Sequence, residues 1–325
     1  MRILHVTNVA SVTGGTLNCA LSMVKSFPEC QCTVFSFSGK FSPEDQSLFP
    51  KGTVLRNGLN LNEMRGQHFD LVIYHNTPAT RMPNADLANY SVYYFHSAYS
   101  GPRTAAERCD LQLCVSQHLA NQLGMDATTV LHQPVHLPAY TKGPEDQKFC
   151  IGRICTPTPT KWHIPDVIPP VAALLDALGD KVRFEFVGAT AGAREALEAL
   201  GGDTTFIPAS HEARSRMHHW QAMLYLSQVT ESFGRTVREA QRCGCWPIVS
   251  KRGGFIEQIK DTGAGTLIDM NSRPHEQVVR AVKNLMDVPR QVIRDTCRKV
   301  GDENGSLKVW RDKFLDRLAK EMTCA

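Results

Sequence analysis

The stretch of residues 223–258 constrains the fold of this chain more than any other. A short apolar run at 223–226 is followed by a polar turn that contains a glycine. Nothing in 235–242 interrupts a helix, and Gly244 stands where a glycine ends one, before a second apolar run at 246–249. The pattern predicts a strand, a turn, a helix and a second strand of an α/β protein.

The turn after the first of these strands is expected to bind an anion. In open α/β sheets ligands lie beyond the carboxyl ends of the strands, where helix N-termini present N–H groups. The backbone of Ser232, Phe233 and Gly234 would therefore face a phosphate. Several ångströms of helical rise separate Glu231 from Glu239, so the two would hold different parts of one long ligand. Since carboxylates accept hydrogen bonds from hydroxyls, the pair suits a nucleotide sugar, which has a sugar at each end of a diphosphate.

An ordered string of residues surrounds this turn. It runs Glu-x7-Glu with Phe-Gly inside, then Ala240, Gly244, Pro247-Ile248-Val249, Gly253-Gly254 and Glu257. The string resembles the donor site of glycosyltransferase family 4, a group of retaining enzymes with the GT-B fold. The resemblance implies an α/β protein with two Rossmann-like, doubly wound parallel-sheet domains that face each other across a cleft. It also implies that Glu231 contacts the hydroxyls of the transferred sugar and that Glu239 binds the ribose.

The length of the chain agrees with two domains, because 325 residues exceed what one core usually supports. We place an N-terminal acceptor-side domain at 1–145 and a nucleotide-sugar donor domain at 146–305, with a polar linker at 142–147. Residues 306–320 form an amphipathic pattern that predicts a helix, and GT-B proteins often return such a C-terminal helix, here 306–325, to the first domain. Alternating strands and helices predict a parallel sheet in the first domain, with strands at 2–6, 32–37, 69–74, 92–95 and 111–115.

Two features of the first domain are candidates for the site. Gly14-Gly15 precedes a helical pattern at 17–27, and a glycine pair there lets the backbone approach a ligand, although a plain strand-to-helix turn would look the same. The resemblance implies a contact with the donor diphosphate. His96 ends a buried-looking strand, where it could also cap a neighbouring carbonyl, and His75 and His5 compete with it. In family 4 a histidine at this position lies beside the transferred sugar.

The second domain is expected to contribute two cations. A strand is predicted at 149–154, and Arg153 and Lys161 are read as parts of the loop that follows. The resemblance implies that both bind the donor diphosphate, which suits a dianionic group. A short strand is expected at 130–138, although Gln133-Pro134 stands where the family has Asn-Gly. Helices are predicted at 171–178, 195–200 and 276–286, and strands at 184–187 and 265–268.

No metal site is expected. His211, His218 and His219 fall on one predicted helix, but no further ligands are suitably spaced, so we interpret them as surface polarity. The sequence contains no Asp-x-Asp motif that could hold a metal-bridged diphosphate. We therefore expect a metal-independent reaction without a cofactor.

Composition argues against several other classes. A net charge of +4 with dispersed Lys and Arg residues does not indicate a nucleic-acid or anionic-membrane surface. No apolar run approaches the ~20 residues of a membrane span, and the N-terminus shows no leader, so a cytoplasmic protein is expected. Eleven scattered cysteines predict buried free thiols rather than a disulfide framework or a zinc quartet.

The function we predict is the retaining transfer of a sugar from a nucleoside diphosphate to an acceptor hydroxyl, by a glycosyltransferase of class EC 2.4. His96, Glu231, Arg153 and Lys161 are the candidate catalytic residues. One alternative is a non-catalytic protein of the same fold that binds nucleotide sugars or glycans. Another is a GT-B sugar-nucleotide epimerase, which would release nucleotide or epimerised sugar without an acceptor. The acceptor, the donor base, the donor sugar and the oligomeric state stay open.

Overall fold

The computed structural model describes residues 1–11, 14–64, 66–82, 87–98, 102–137, 140 and 148–324. The chain divides into two compact units. The first comprises Met1–His136 and Gly305–Ala325, and the second comprises Leu137–Asn304. The expected linker at 142–147 lies outside the described residues.

The first unit is built on a six-stranded sheet in the order β3-β2-β1-β4-β5-β6. All neighbouring strands are parallel. The strands are β1 (Arg2–Thr7), β2 (Gln31–Ser36), β3 (Val54–Asn57), β4 (Phe69–His75), β5 (Ala88–Phe95) and β6 (Leu111–Cys114). The strand order reverses between β1 and β4, which is the switch point where sheets of this kind bind ligands.

Helices flank this sheet. They are α1 (Gly15–Ser26), α2 (Pro43–Leu48), α3 (Pro102–Ala106), α4 (Gln117–Leu123) and, from the end of the chain, α11 (Leu307–Cys324). The C-terminal helix packs on the first unit, where the rings of Trp310 and Phe314 meet Phe27 with centroids 6.0 and 6.1 Å away. Arg311 on the same helix forms an ion pair with Glu29.

The second unit repeats the topology, with strand order β12-β11-β10-β7-β8-β9 and parallel neighbours throughout. Its strands are β7 (Phe149–Ile154), β8 (Val182–Val187), β9 (Thr204–Ile207), β10 (Ala222–Tyr225), β11 (Trp246–Ser250) and β12 (Thr266–Ile268). Its helices are α5 (Ile164–Leu178), α6 (Ala191–Glu198), α7 (Arg235–Cys243), α8 (Gly254–Thr262), α9 (Pro274–Met286) and α10 (Arg290–Gly305).

Both faces of the second sheet are buried. On β10, Leu224 belongs to one apolar cluster, whereas Met223 and Tyr225 belong to another. Neighbouring strand residues point to opposite faces, so each cluster fills the space between one face and its helices. The prediction of two doubly wound parallel sheets is confirmed.

Several predicted elements differ from the observed ones. The segment 130–138 was expected to contain a strand, which is wrong for its described part, because Val130 forms only an isolated bridge with Cys114. Pro134 has no N–H to donate to a strand ladder. Helix α5 begins at Ile164, well before the predicted start at 171, and Pro165 occupies its first turn. The start was missed because further prolines within the helix obscure the helical pattern of the sequence.

Edge strands β3 and β9 were not predicted. Each has only two apolar residues and is partly exposed, so both lack the apolar run that marks a buried parallel strand. None of the ten cysteines whose side chains the structure describes forms a disulfide, and most are buried, as predicted. Among the described residues, no helix is long and apolar enough to cross a membrane.

Candidate functional site

The turn between β10 and α7 is held in place by α8. Gly234 ends the turn with φ +76°, and a Cβ there would lie 2.1 Å from the Phe255 ring. Gly253 has φ +52°, and its Cβ would lie 2.3 Å from the carbonyl oxygen of Glu231. Side chains at these two positions would be strained and would push the segments apart, so the Gly residues of the string have a packing role.

Hydrogen bonds complete this attachment. The N–H of Gly254 donates to the carbonyl of Glu231 at 2.9 Å. The buried Gln258 amide on α8 donates to the carbonyl of Gly234 at 3.1 Å and also to that of Phe233. The backbone of residues 231–234 is therefore fixed before any ligand arrives, at the N-terminal end of α7.

Glu231 is anchored through one of its two carboxylate oxygens. Its Oε1 accepts hydrogen bonds from the Lys161 ammonium and, at 3.0 Å, from the Tyr225 hydroxyl. Its Oε2 has no hydrogen bond to the described residues, and 20% of the side chain is exposed. Burial lowers the pKa of Lys161. An anion placed beside this lysine would favour its charged form.

Glu239 is anchored in the same way but is more deeply buried. Its Oε1 accepts hydrogen bonds from Arg235 Nε at 2.9 Å and from the Arg214 guanidinium. Its Oε2 makes no hydrogen bond to the part of the chain that the structure describes. Each glutamate of the pair thus keeps one acceptor oxygen for a ligand hydroxyl.

Arg153 lies inside strand β7, not in the loop where we expected it, and it is buried. Its guanidinium donates to the carbonyl of Lys161 at 2.6 Å and to that of Leu226 at 3.2 Å. The guanidinium lies 5.1 Å from the Trp162 ring centroid and 4.7 Å from that of Tyr225. These contacts tie the end of β10 to the loop that carries Lys161.

In the first unit, α1 begins at the glycine pair. Gly14 precedes the helix in an extended conformation, and its N–H donates to the carbonyl of Ser11 at 3.2 Å. A Cβ at Gly15 would meet nothing within 4 Å. Since no described residue occupies that space, Gly15 permits close approach of a ligand to the helix N-terminus.

His96 follows β5 and is 8% exposed. Its ring nitrogens contact two side chains: Nε2 lies 2.9 Å from His75 Nδ1, and Nδ1 lies 2.6 Å from Gln133 Nε2. His75 in turn contacts His5, with 3.2 Å between Nε2 and Nδ1. The two histidines that competed with His96 in the sequence are therefore its neighbours.

The three histidines that we interpreted as surface residues of the second unit are buried. His211, His218 and His219 are buried beside a 3₁₀ helix at Glu212–His218, so that interpretation was wrong. Tyr140 packs edge-on against His218 with ring centroids 5.3 Å apart. In the described ranges, no group of three His, Cys, Asp or Glu side chains is arranged to hold a metal ion.

Three contributors to the site were missed. Arg235 stands four residues before Glu239 on one helix, a spacing that the sequence shows and that could have been used. Arg214 and Tyr225 gave no such signal. Arg214 lies far from Glu239 in sequence, and Tyr225 sits in an apolar run.

Comparison with solved structures gives the fold class. The chain is similar to Alr3699/HepE of Anabaena in complex with UDP-glucose, with 18% identity, a TM-score of 0.73, and coverage of 98% of this chain and 100% of that one. A glycosyltransferase from Rickettsia africae shares 16% identity with a TM-score of 0.73 and coverage of 100% and 99%. A trehalose-6-phosphate structure from E. coli, bound with UDP-2-fluoro glucose, shares 12% identity with a TM-score of 0.68 and coverage of 98% and 99%. These likenesses show the GT-B fold.

A family model narrows this class. Residues 163–303 match the family of glycosyl transferases group 1. The matched segment lies within the second unit and contains both glutamates of the turn. A search of curated protein sequences found no match. With the shared fold, the family match supports the prediction of a glycosyltransferase, EC 2.4.

Proposed function

We propose that this protein is a retaining glycosyltransferase of the family 4 type, which moves a sugar from a nucleoside diphosphate to an acceptor hydroxyl. The observation that carries the proposal is the paired anchoring of Glu231 and Glu239. Two carboxylates lie on either side of a fixed helix N-terminus, and each has one oxygen without a bond to the described residues. Hydroxyls at both ends of a diphosphate match this arrangement.

The donor would be held as follows. Glu231 Oε2 accepts from the transferred sugar, and Glu239 Oε2 accepts from the ribose. The backbone of 232–234 and the Lys161 ammonium receive the diphosphate. Arg153 acts through Lys161, whose carbonyl it binds.

We also propose roles for three residues of the first unit. The open space at Gly15, next to Gly14, lets the start of α1 approach the diphosphate. His96 contacts the transferred sugar. Both assignments are supported by the resemblance of the sequence, and the room at Gly15 supports the first independently.

Transfer would proceed on one face of the sugar. The bond between the anomeric carbon and the phosphate oxygen breaks, and the acceptor oxygen bonds to the same carbon. The acceptor proton passes to the leaving phosphate oxygen. Charge develops on that phosphate, where the fixed Lys161 cation and the positive end of α7 stabilise it most. We propose that no divalent metal takes part.

Thermal stability in the presence of nucleotide sugars tests this function. The panel begins with UDP-glucose and adds nucleotide sugars with other bases and sugars. The right donor at about 100 times its dissociation constant should stabilise the protein by ~2.7 kcal/mol. Glu239→Gln should reduce the effect, and Glu276→Gln, on the exposed face of α9, should not. Failure of the whole panel and of the free nucleoside diphosphates to stabilise the protein would overturn the proposal.

The same donor then separates the alternatives. A transferase should release nucleoside diphosphate slowly in water and leave a free sugar that first appears in the donor's anomeric configuration. A binding protein would release nothing. An epimerase would yield the epimeric sugar.

The same assay tests the role of metal. Activity that disappears in chelator and returns with magnesium would contradict the metal-independent reaction.

A further inference from the structure

Three histidines form one hydrogen-bonded chain across the first unit. His5 Nδ1 lies 3.2 Å from His75 Nε2, and His75 Nδ1 lies 2.9 Å from His96 Nε2. The rings are stacked, with centroids 5.5 Å apart for His5 and His75 and 5.1 Å apart for His75 and His96. Gln133 ends the chain, with its amide nitrogen 2.6 Å from His96 Nδ1.

The strand register explains how these residues meet. On β1, His5 pairs with Ile73 of β4, and His75 lies two residues further along β4. His75 pairs with Tyr94 of β5, and His96 lies two residues beyond that. Residues two apart share a face, and such diagonal neighbours are within reach of aromatic side chains. The chain of histidines therefore crosses the switch point of the sheet and runs toward the carboxyl ends of the strands.

The direction of every hydrogen bond in the chain is fixed by Gln133. An amide nitrogen can only donate, so His96 Nδ1 must accept. His96 then carries its proton on Nε2 and donates to His75 Nδ1. By the same reasoning His75 donates from Nε2 to His5 Nδ1, and all three neutral rings are Nε2–H tautomers.

No ring in this chain can gain a second proton without losing a hydrogen bond. A proton on His96 Nδ1 would face the amide hydrogens of Gln133, and a proton on Nδ1 of His75 or His5 would face the N–H of the preceding ring. Burial also lowers the pKa of His5 to about 3 and the pKa of His75 well below its usual value. Both effects keep the chain neutral.

The His5 end of the chain is buried and lacks one hydrogen bond within the described part of the protein. His5 and His75 are fully buried, and His5 Nε2 has no hydrogen-bond partner among the described residues. A buried donor without a partner destabilises the folded state, whereas the neighbours of His5 on β1, Leu4 and Val6, are apolar. Local destabilisation of this kind is expected at functional sites.

We infer that His5, His75 and Gln133 are positioning residues that hold His96 neutral, in one tautomer and in one orientation. His96 then serves the transferred sugar as a rigid neutral contact and does not carry the acceptor's proton. The role toward the sugar rests on the proposed function. The state of the chain does not, because it can be observed without any substrate.

The first arm of the test is nitrogen NMR of the full-length protein labelled with ¹⁵N-histidine, with signals assigned by substitution. His96 should be an Nε2–H neutral tautomer. Gln133→Glu places an acceptor where the donor stood, so His96 should gain a proton on Nδ1, either by switching tautomer or by becoming charged. Gln117→Glu, a change at a partly exposed position on α4 of the same unit, is the matched control and should alter nothing. An Nδ1–H or charged His96 in the wild-type protein would overturn the inference.

The second arm measures release of UDP from UDP-glucose in water, or from the donor that stabilises the protein most. Gln133→Glu and His5→Leu should each lower kcat by about tenfold with little change in KM. His5→Asn can offer an amide oxygen in place of Nδ1 and should restore both kcat and the His96 tautomer. Gln133→Glu should also introduce a new ionisation into the pH profile of kcat.

The outcomes separate the two proposals. If wild-type protein turns over a donor while Gln133→Glu and His5→Leu keep its kcat and pH profile, the positioning role is wrong and the proposed function stands. If no donor is turned over, the proposed function fails, and the NMR arm still decides whether the chain holds His96 in one neutral tautomer.

Discussion

The two units share one strand order, yet they place opposite chemistry near the carboxyl ends of their central strands. In the first unit, His5, His75 and His96 form a buried chain of neutral rings. In the second unit the groups are charged and paired, with Lys161 bound to Glu231 and two arginines bound to Glu239. The shared strand order therefore does not determine the chemistry of the side chains near the carboxyl ends of the strands.

The two units therefore differ in the kind of group that they can offer a ligand. A neutral chain orients a contact without adding charge to the site. On the proposed assignment, the ion pairs hold the Lys161 cation beside the leaving diphosphate, and one oxygen of each glutamate accepts from a ligand hydroxyl. A substitution that introduces a charge in the first unit and one that replaces a charged residue by a neutral residue in the second should therefore impair different steps.

The largest effect is expected from the charged side. Lys161→Met removes the cation beside the leaving diphosphate, and we expect kcat to fall by about 10²–10³, as when one stabilising donor is lost. Lys148→Met is the matched control, because Lys148 forms an exposed ion pair with Asp203 in the same unit and lies outside the proposed site. Steady-state kinetics of donor hydrolysis measure both variants. Equal rates for the two would remove Lys161 from the mechanism.

A smaller loss is expected from the neutral side. His96→Ala should lower kcat by about 10–100-fold while donor affinity changes little, because misplacing the sugar affects the reacting geometry more than binding. The exposed His68→Ala serves as control. A His96 variant with normal single-turnover transfer and a lowered melting temperature would return this histidine to a structural role.

Whether the sequence could predict a feature of the fold or the site depends on how far apart along the chain its interacting residues lie. The turn, Gly244 and both glutamates were predictable because a strand, a turn and a helix are local patterns. The burial of Arg153 was not, since its partners at Leu226 and Trp162 come from other elements. The histidine chain needed the register of three strands, which no local pattern contains.

The comparison also predicts a difference in acid stability. In the unfolded chain, His5 and His75 become protonated as the pH falls below about 6.5. In the folded unit, burial lowers the pKa of His5 to about 3 and the pKa of His75 well below its usual value. Both rings therefore stay neutral at pH values where they are charged in the unfolded chain. The free energy of unfolding of the first unit should therefore fall as the pH decreases below 6.5, by up to about 1.4 kcal/mol per pH unit for each histidine.

The second unit should respond only at lower pH. Burial of Glu185 acts to raise its pKa, but hydrogen bonds from Arg216, Trp220 and Arg183 outweigh it and lower the pKa to about 2 from 4.5. That contribution is present above pH 4.5 and is lost as the pH falls toward 2. Denaturant titrations at pH 7 and 5, read by pulsed hydrogen exchange in β1 and β8, compare the units. Equal losses in both strands, or no change of slope in His5→Asn, would contradict the expectation.

The smallest effect concerns the start of α1. Gly15→Ala should stabilise the helix by roughly 0.5–1 kcal/mol because alanine orders more easily than glycine. It should nevertheless weaken donor binding several-fold, since the new Cβ enters the space proposed for the diphosphate. Gly192→Ala on α6 is the matched control, because a Cβ there also meets nothing within 4 Å. Stabilisation with unchanged donor affinity would remove Gly15 from the site.

We propose that Glu239 holds the ribose and Glu231 holds the transferred sugar, and calorimetry with two ligands distinguishes these two roles. UDP and UDP-glucose, or the corresponding pair for the preferred donor, are titrated into Glu231→Gln and Glu239→Gln. Glu239→Gln should weaken both ligands equally, by ~1.5–3 kcal/mol for a charged hydrogen bond, and Glu231→Gln should weaken only the intact donor. If Glu231→Gln weakened UDP as much as UDP-glucose, or if neither variant changed either affinity, the assignment of the two glutamates would be contradicted.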